Sequence, residues 1–297
     1  MSSRLSILIL IPTVLFAVLL SRAPFMMDSQ APSTSKQWAD GPMKLVTTPQ
    51  YQTKKTDIFT TGATHMALLH NSILRGYNSI YNQALLVQEA DKADFVGYCL
   101  TWYKFVKSHH DDEEQNLFTK IEELLQDKTV FADTHQEHEA FLAGLAEYNT
   151  YLTTLPSPLS FSGTELKRIM DSFHKPFEDH FHSEISTIAA LADHPNAPKP
   201  GSSGETAAKA VFKTWGKSTV TKAGMTDVAP FFLLNLDRTA EEGMWSSWPP
   251  MPAAIKWGLI NLAGAWRAGQ WKFASCDAAG QPRALYALEH QPEDVKA

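Results

Sequence analysis

Between residues 61 and 194 four stretches carry apolar residues at three- and four-residue steps, separated by short breaks, and this pattern restricts the chain to a helical bundle. In the first, residues 61–89, Met66, Leu69, Ile73, Ile80, Ala84 and Val87 fall on one face. The second, residues 93–125, carries Phe95, Leu100, Trp102, Phe105 and Val106 and runs on through an acidic stretch to a stop at Asp127-Lys128. The third, residues 131–151, holds Phe141, Leu145 and Tyr148. Leu155-Pro-Ser-Pro-Leu159 then breaks the chain. Ser162 or Thr164 is placed to cap the fourth, which reaches His194-Pro195 with Leu166, Ile169, Phe173, Phe177, Phe181 and Ile188 inward. Short connections between long amphipathic helices favour antiparallel neighbours. The expected fold is all-α, an up-down antiparallel four-helix bundle over residues 59–197.

Nine of the eleven histidines lie between His65 and His182, and among those that stand four residues before a carboxylate are His110, in His110-Asp-Asp-Glu-Glu114, and His180, in His180-Phe-His-Ser-Glu184. Residues four apart share a helix face, so each pair aims an imidazole and a carboxylate at one point. His70 sits early in the first helix, His110 and Glu114 late in the second, His138 early in the third, and His180 and Glu184 late in the fourth. In an up-down bundle these positions share one level. Mixed nitrogen and oxygen donors suit iron or manganese better than calcium or magnesium. Taken singly, either pair reads more simply as a helical ion pair; together they favour a metal site. His65, His109, His174 and His182 are expected to face solvent, with His182 near enough to the ligand face to orient a ligand. Arg75 reads either as a structural ion-pair partner or as an anion contact.

The segments His70-Asn-Ser-Ile-Leu-Arg75, His110-Asp-Asp-Glu-Glu114, Glu137-His138-Glu-Ala-Phe141 and His180-Phe-His-Ser-Glu184 together resemble the hemerythrin-like, HHE cation-binding domain. The resemblance spans roughly residues 60–195 and extends, through Arg75-Gly-Tyr-Asn-Ser-Ile-Tyr-Asn-Gln83, to a fungal branch of that family. It implies a non-haem centre of two irons, held by His70, His110, Glu114, His138, His180 and Glu184, with Glu114 and Glu184 bridging, and with O2 as ligand or substrate. Oxygen-carrying members place a second histidine four residues after the one matching His138, where this chain has Leu142. The histidine-poorer shell is closer to iron-sensing members, and Asp111 and His135 are the candidate replacement ligands.

Outside the bundle the sequence is more varied. A net charge of −6 without long basic runs argues against a nucleic-acid partner. Cys99 and Cys276, far apart and without CxxC spacing, do not form a thiolate zinc site; whether they pair depends on the fold. Residues 5–20 are uncharged and apolar between Arg4 and Arg22, and Ser21-Arg-Ala23 fits a peptidase site. Residues 1–23 therefore read as a signal peptide or signal anchor, placing the protein in the secretory pathway, either secreted or held in a membrane through residues 5–20. Residues 24–58, rich in Pro, Ser, Thr and Lys, read as a linker. Residues 198–297 hold six of the eight tryptophans and form an irregular, partly helical extension expected to pack on the bundle, either covering one end of the metal site or completing the core. Within it, residues 253–266 read as a packed or interfacial helix.

Three functions follow from these readings. The most direct is a di-iron protein that binds or reacts with O2 as carrier, sensor or store. The next is a di-iron oxygenase or oxidase acting on a small organic substrate in a fungal tailoring role. The third is a metal-free, membrane-tethered interaction module.

Overall fold

The computed structural model describes residues 38–291; the apolar run 5–20 and the first part of the expected linker lie outside them. Asp57 starts the bundle, its Oδ1 accepting from the amides of Phe59 at 3.1 Å and Thr60 at 2.9 Å, which satisfies two of the four donors left open at a helix start. Helix α2, Ile58–Gln83, follows the short helix α1, Pro49–Thr53. Helix α3, Lys92–Asp112, leads through a π-helical turn, Glu113–Leu117, into α4, Phe118–Leu125. Helix α5 is Ala132–Thr153, and α6, Gly163–Ala190, is capped by Ser162, whose Oγ accepts from the Glu165 amide. The four-helix expectation is met, with α3 and α4 forming one interrupted helix. Among the described residues there is no strand, only an isolated bridge between Cys276 and Pro282.

The bundle's centre is aromatic. Trp102 is wholly buried with ring centres 5.1 Å from Tyr148, 5.7 Å from Phe177 and 5.8 Å from Tyr77, and its Nε1 donates to the Ile73 carbonyl at 3.0 Å. Each such ring contributes about 2–3 kcal/mol through burial, and the paired polar tips avoid the cost of unmade bonds. Gly163 lets α6 begin against the end of α2: a Cβ there would lie 1.9 Å from the Ala84 carbonyl oxygen.

Residues 39–48 are not a tether. Asn71 and Asn78, two turns apart on α2, each hold this arm by its backbone. Asn78 accepts from the Met43 amide and donates to the Ala39 and Met43 carbonyls, while Asn71 brackets Val46 in the same way. Ala39 and Met43 are fully buried. The linker reading therefore fails from residue 39 onward, because two amide side chains replace the strand partner that a polar, proline-containing segment lacks.

The extension opens with α7, Ser203–Ala223, which lies along α3, and continues through α8, Val228–Leu234, into short turns. Gly76 on α2 leaves room for Phe231, whose ring sits 4.8 Å from Tyr98, and Ser72 Oγ donates to the Phe232 carbonyl at 3.0 Å. The extension thus completes the core on the α2–α3 side and belongs to the same compact unit as the bundle. Residues 253–267 form a sequence of α, π and 3-10 turns in which Trp266 and Leu262 are exposed and Leu259 is buried. No helix among the described residues is long and apolar enough to cross a membrane. Cys99 and Cys276 are both buried and unpaired.

Candidate metal centre

Four imidazoles present their Nε2 atoms to one buried space. His70 and His109 bring these nitrogens within 3.1 Å of each other, and His138 and His180 do the same. For His70, His138 and His180 the outer nitrogens explain why Nε2 points inward, whereas His109 Nδ1 is buried without a hydrogen bond. His70 Nδ1 donates to the Phe181 carbonyl at 3.0 Å, His138 Nδ1 to Glu114 Oε1 at 2.5 Å, and His180 Nδ1 to Glu137 Oε2 at 3.3 Å. With the proton on Nδ1, the bare Nε2 lone pair is left for a cation.

Two wholly buried carboxylates span the nitrogen pairs. Glu113 lies 2.9 Å from His109 Nε2 and 3.9 Å from His138 Nε2, while Glu184 Oε2 lies 3.3 Å from His70 Nε2 and 3.6 Å from His180 Nε2. These contacts are close but not aligned as hydrogen bonds: all four oxygens of Glu113 and Glu184 are buried without a hydrogen-bond partner. A buried carboxylate in that condition is costly unless something positive sits against it. Burial, then the charges of Glu184, Glu114 and Asp112, push the Glu113 carboxyl well above its ordinary range. Burial, and then neighbouring imidazoles, push His109 well below the usual histidine value. Burial likewise lowers His180, with His138, His70 and His110 adding to it against the opposing charge of Glu184. Imidazoles beside carboxylates that lack hydrogen bonds fit a bound metal cation, and the donor set suits iron.

The π-turn decides which acid occupies the buried place. A π-turn adds one residue to the helical repeat, so the inward stripe of Phe105, His109 and Glu113 passes into a second inward stripe of Phe118, Ile121 and Leu125 without leaving the core. His109, expected to face solvent, is only 2% exposed, and Glu113 is wholly buried. The buried pair is thus one position before the His110 and Glu114 of the sequence reading. Glu114, expected opposite Glu184, lies at the rim with a 30% exposed side chain and accepts from His138 and from His135 Nδ1 at 2.9 Å. Those bonds hold its carboxyl down at about 2 against the effect of burial. His110 sits beside His138, ring centres 4.3 Å apart, and burial followed by His138 lowers it to about 4. His110, Glu114 and His138 themselves form a second group whose donor atoms converge within 4.8 Å. The doublet His109-His110 carried the missing signal, because either histidine has an acid four residues on.

The remaining expectations resolve differently. Asp111 is tied to Lys107 at 2.5 Å and turns away from the buried space. His135 partners Glu114 rather than reaching the other imidazoles. His182 bonds the Lys44 carbonyl at 2.9 Å, so it secures the arm and touches no candidate ligand. His174 bonds Tyr77, and His65 lies against Trp248. Arg75 is an ion-pair partner of Asp40 and Asp237, each at 3.0 Å. On the α7 side the Trp215 ring lies 5.7 Å from His109, so the extension both completes the core and walls this edge of the centre.

The molecule is thus a helical-bundle protein with histidines and carboxylates grouped so that they could hold a metal ion. Residues 61–192, which hold all six inward side chains, match the family described as Hemerythrin HHE cation binding domain. It is 29% identical over 267 residues to a dimeric xanthone biosynthesis cluster protein of Cryptosporiopsis sp. (strain 8999), an alignment covering 88% of this chain and 97% of that one. The likeness therefore runs beyond the bundle into the extension. No solved structure matches the chain.

Proposed function

We propose that the centre would hold two irons through His70, His109, His138, His180, Glu113 and Glu184, and that it reacts with O2. The observation that carries this reading is the pairing itself: two nitrogen pairs, each 3.1 Å apart, spanned by two buried carboxylates whose oxygens have no hydrogen-bond partner. When bound, a pair of irons supplies the electrons that O2 takes up. The chain's own residues set the conditions. Phe181, with its ring 4.3 Å from His70, and Phe141, 5.3 Å from His180, keep water from the buried side. Glu114 and His135 form a hydrogen-bonded route from His138 Nδ1 to the surface, where His135 is 41% exposed, and this route can hold or pass a proton.

A second, finer reading is oxidation of a small organic substrate. It is supported by the printed name of the similar protein, which places that protein in a biosynthetic cluster, and by Leu142, which puts an apolar group where oxygen carriers have a histidine. Anaerobic iron loading followed by metal analysis and optical spectra with O2 tests both readings. Two irons per chain are expected, and rapid irreversible oxidation favours catalysis or sensing over carriage. Fewer than one iron per chain would sink the di-iron assignment, whereas a stable, reversible oxygenated spectrum would sink the oxidase reading.

A further inference from the structure

A cavity of about 160 Å³ lies where the arm, α2 and the extension meet, lined by Val46, Leu68, Arg75, Leu236, Glu241 and Trp245 among others. We propose that it binds a neutral, single-ring aromatic molecule through a carbonyl oxygen taken by Arg75. Arg75 is 4% exposed; its Nη2 is held by Asp237 and Asp40, and its Nη1 is buried with no hydrogen-bond partner. A buried guanidinium donor left unmade is costly, and Arg75 brings its side chain to the cavity wall.

The charged and amide side chains of the walls are engaged elsewhere. Asp237 Oδ1 accepts from the Thr239 amide, the Thr239 hydroxyl and the Ala240 amide, while its Oδ2 takes Arg75 Nη2. Glu241, held in left-handed backbone at φ 52, accepts from the Thr48 amide, the Thr48 hydroxyl and Trp245 Nε1. Asn71 is committed to Val46. Charge selects the ligand further. One guanidinium already faces Asp40, Asp237 and Glu241, so a carboxylate ligand would meet net repulsion, and a neutral acceptor would not. Leu68, Val46, Leu236 and Trp245 supply the apolar walls, and a cavity of this size accommodates one aromatic ring. Arg75 follows His70 by five residues, about 7.5 Å along α2 and on another face, so this site is separate from the cation centre.

The test is titration calorimetry on the purified full chain with acetophenone, toluene and benzoate as probes, alongside iron content. Acetophenone is expected to bind at least tenfold more tightly than toluene, which lacks the oxygen, and than benzoate, which carries charge. Ala240→Phe, at the cavity wall, is expected to weaken acetophenone at least tenfold with iron content unchanged. Arg75→Met is expected to bring acetophenone down to toluene; should that variant not fold, the probe series and Ala240→Phe still decide. Equal binding of toluene and acetophenone, preference for benzoate, no binding at all, or wild-type affinity in Ala240→Phe would each overturn the proposal. Because iron content is read separately, its loss bears on the di-iron reading alone.

Discussion

At the residue scale the adjacent acids Glu113 and Glu114 divide two jobs between them. Glu113 is buried among the imidazoles with no hydrogen bond, whereas Glu114 orients His138 from the rim. Replacing Glu113 with Ala is expected to lower iron affinity at least 100-fold, and Glu114→Ala about 10-fold, the range found for partners that orient a ligand. Equilibrium competition with a chelator reads both, and equal effects would reverse this division. Titration gives a second prediction. The metal-free fold keeps His109, His110 and His180 neutral, His110 down to about 4, whereas the unfolded chain protonates histidine near pH 6.5. Below that pH the unfolded state binds more protons at these imidazoles, so their contribution to stability is full above about pH 7 and falls as pH drops from about 6.5 towards 4, opposed by the raised Glu113 carboxyl, whose contribution is lost as pH rises. Glu114, lowered to about 2, adds a further loss below about pH 4.3. Thermal melting of the metal-free protein across pH 3–8 checks this; a flat profile between pH 7 and 4.5 would contradict the neutral imidazoles.

At the element scale the π-turn is what a helical reading could not supply. The apolar repeat showed helices before and after it, and the acids between looked like one continuous face. Whether a helix takes up an extra residue depends on what packs on both sides: here Glu113 must reach the imidazoles and Phe118 must stack on Phe131 at 4.3 Å. Inserting one alanine after Gln115, which is exposed, adds a residue beyond the one the π-turn takes up and is expected to turn Phe118, Ile121 and Leu125 about 100° out of the core. Loss of that stripe should cost at least about 3 kcal/mol, seen as a lower denaturant midpoint. Unchanged stability would mean that the register set by the turn is not needed for packing. The Ser162 cap and the break at Leu155-Pro were legible beforehand, because capping and proline act over a few residues.

At the scale of the whole molecule the bundle and its extension share one core. Trp215→Ala on α7, a residue only 4% exposed, is expected to cost about 3–5 kcal/mol and to hasten iron loss to a chelator, since the same ring walls His109. Retention of wild-type iron release in that variant would separate the extension from the centre. Removing residues 203–297 should prevent folding rather than leave a working bundle, because Phe231 and Ser72 tie α8 to the middle of α2. The sequence by itself determined the helices, their order and the level at which His70, His138, His180 and Glu184 meet. Those depend on periodicity and short connections, which are local. Tertiary structure decided that His109 and Glu113 face inward, that residues 39–48 are held by Asn71 and Asn78, and that Arg75 sits in a cavity between three segments. Each of those rests on contacts between residues far apart in the chain, where burial and the pairing of polar groups override any local preference.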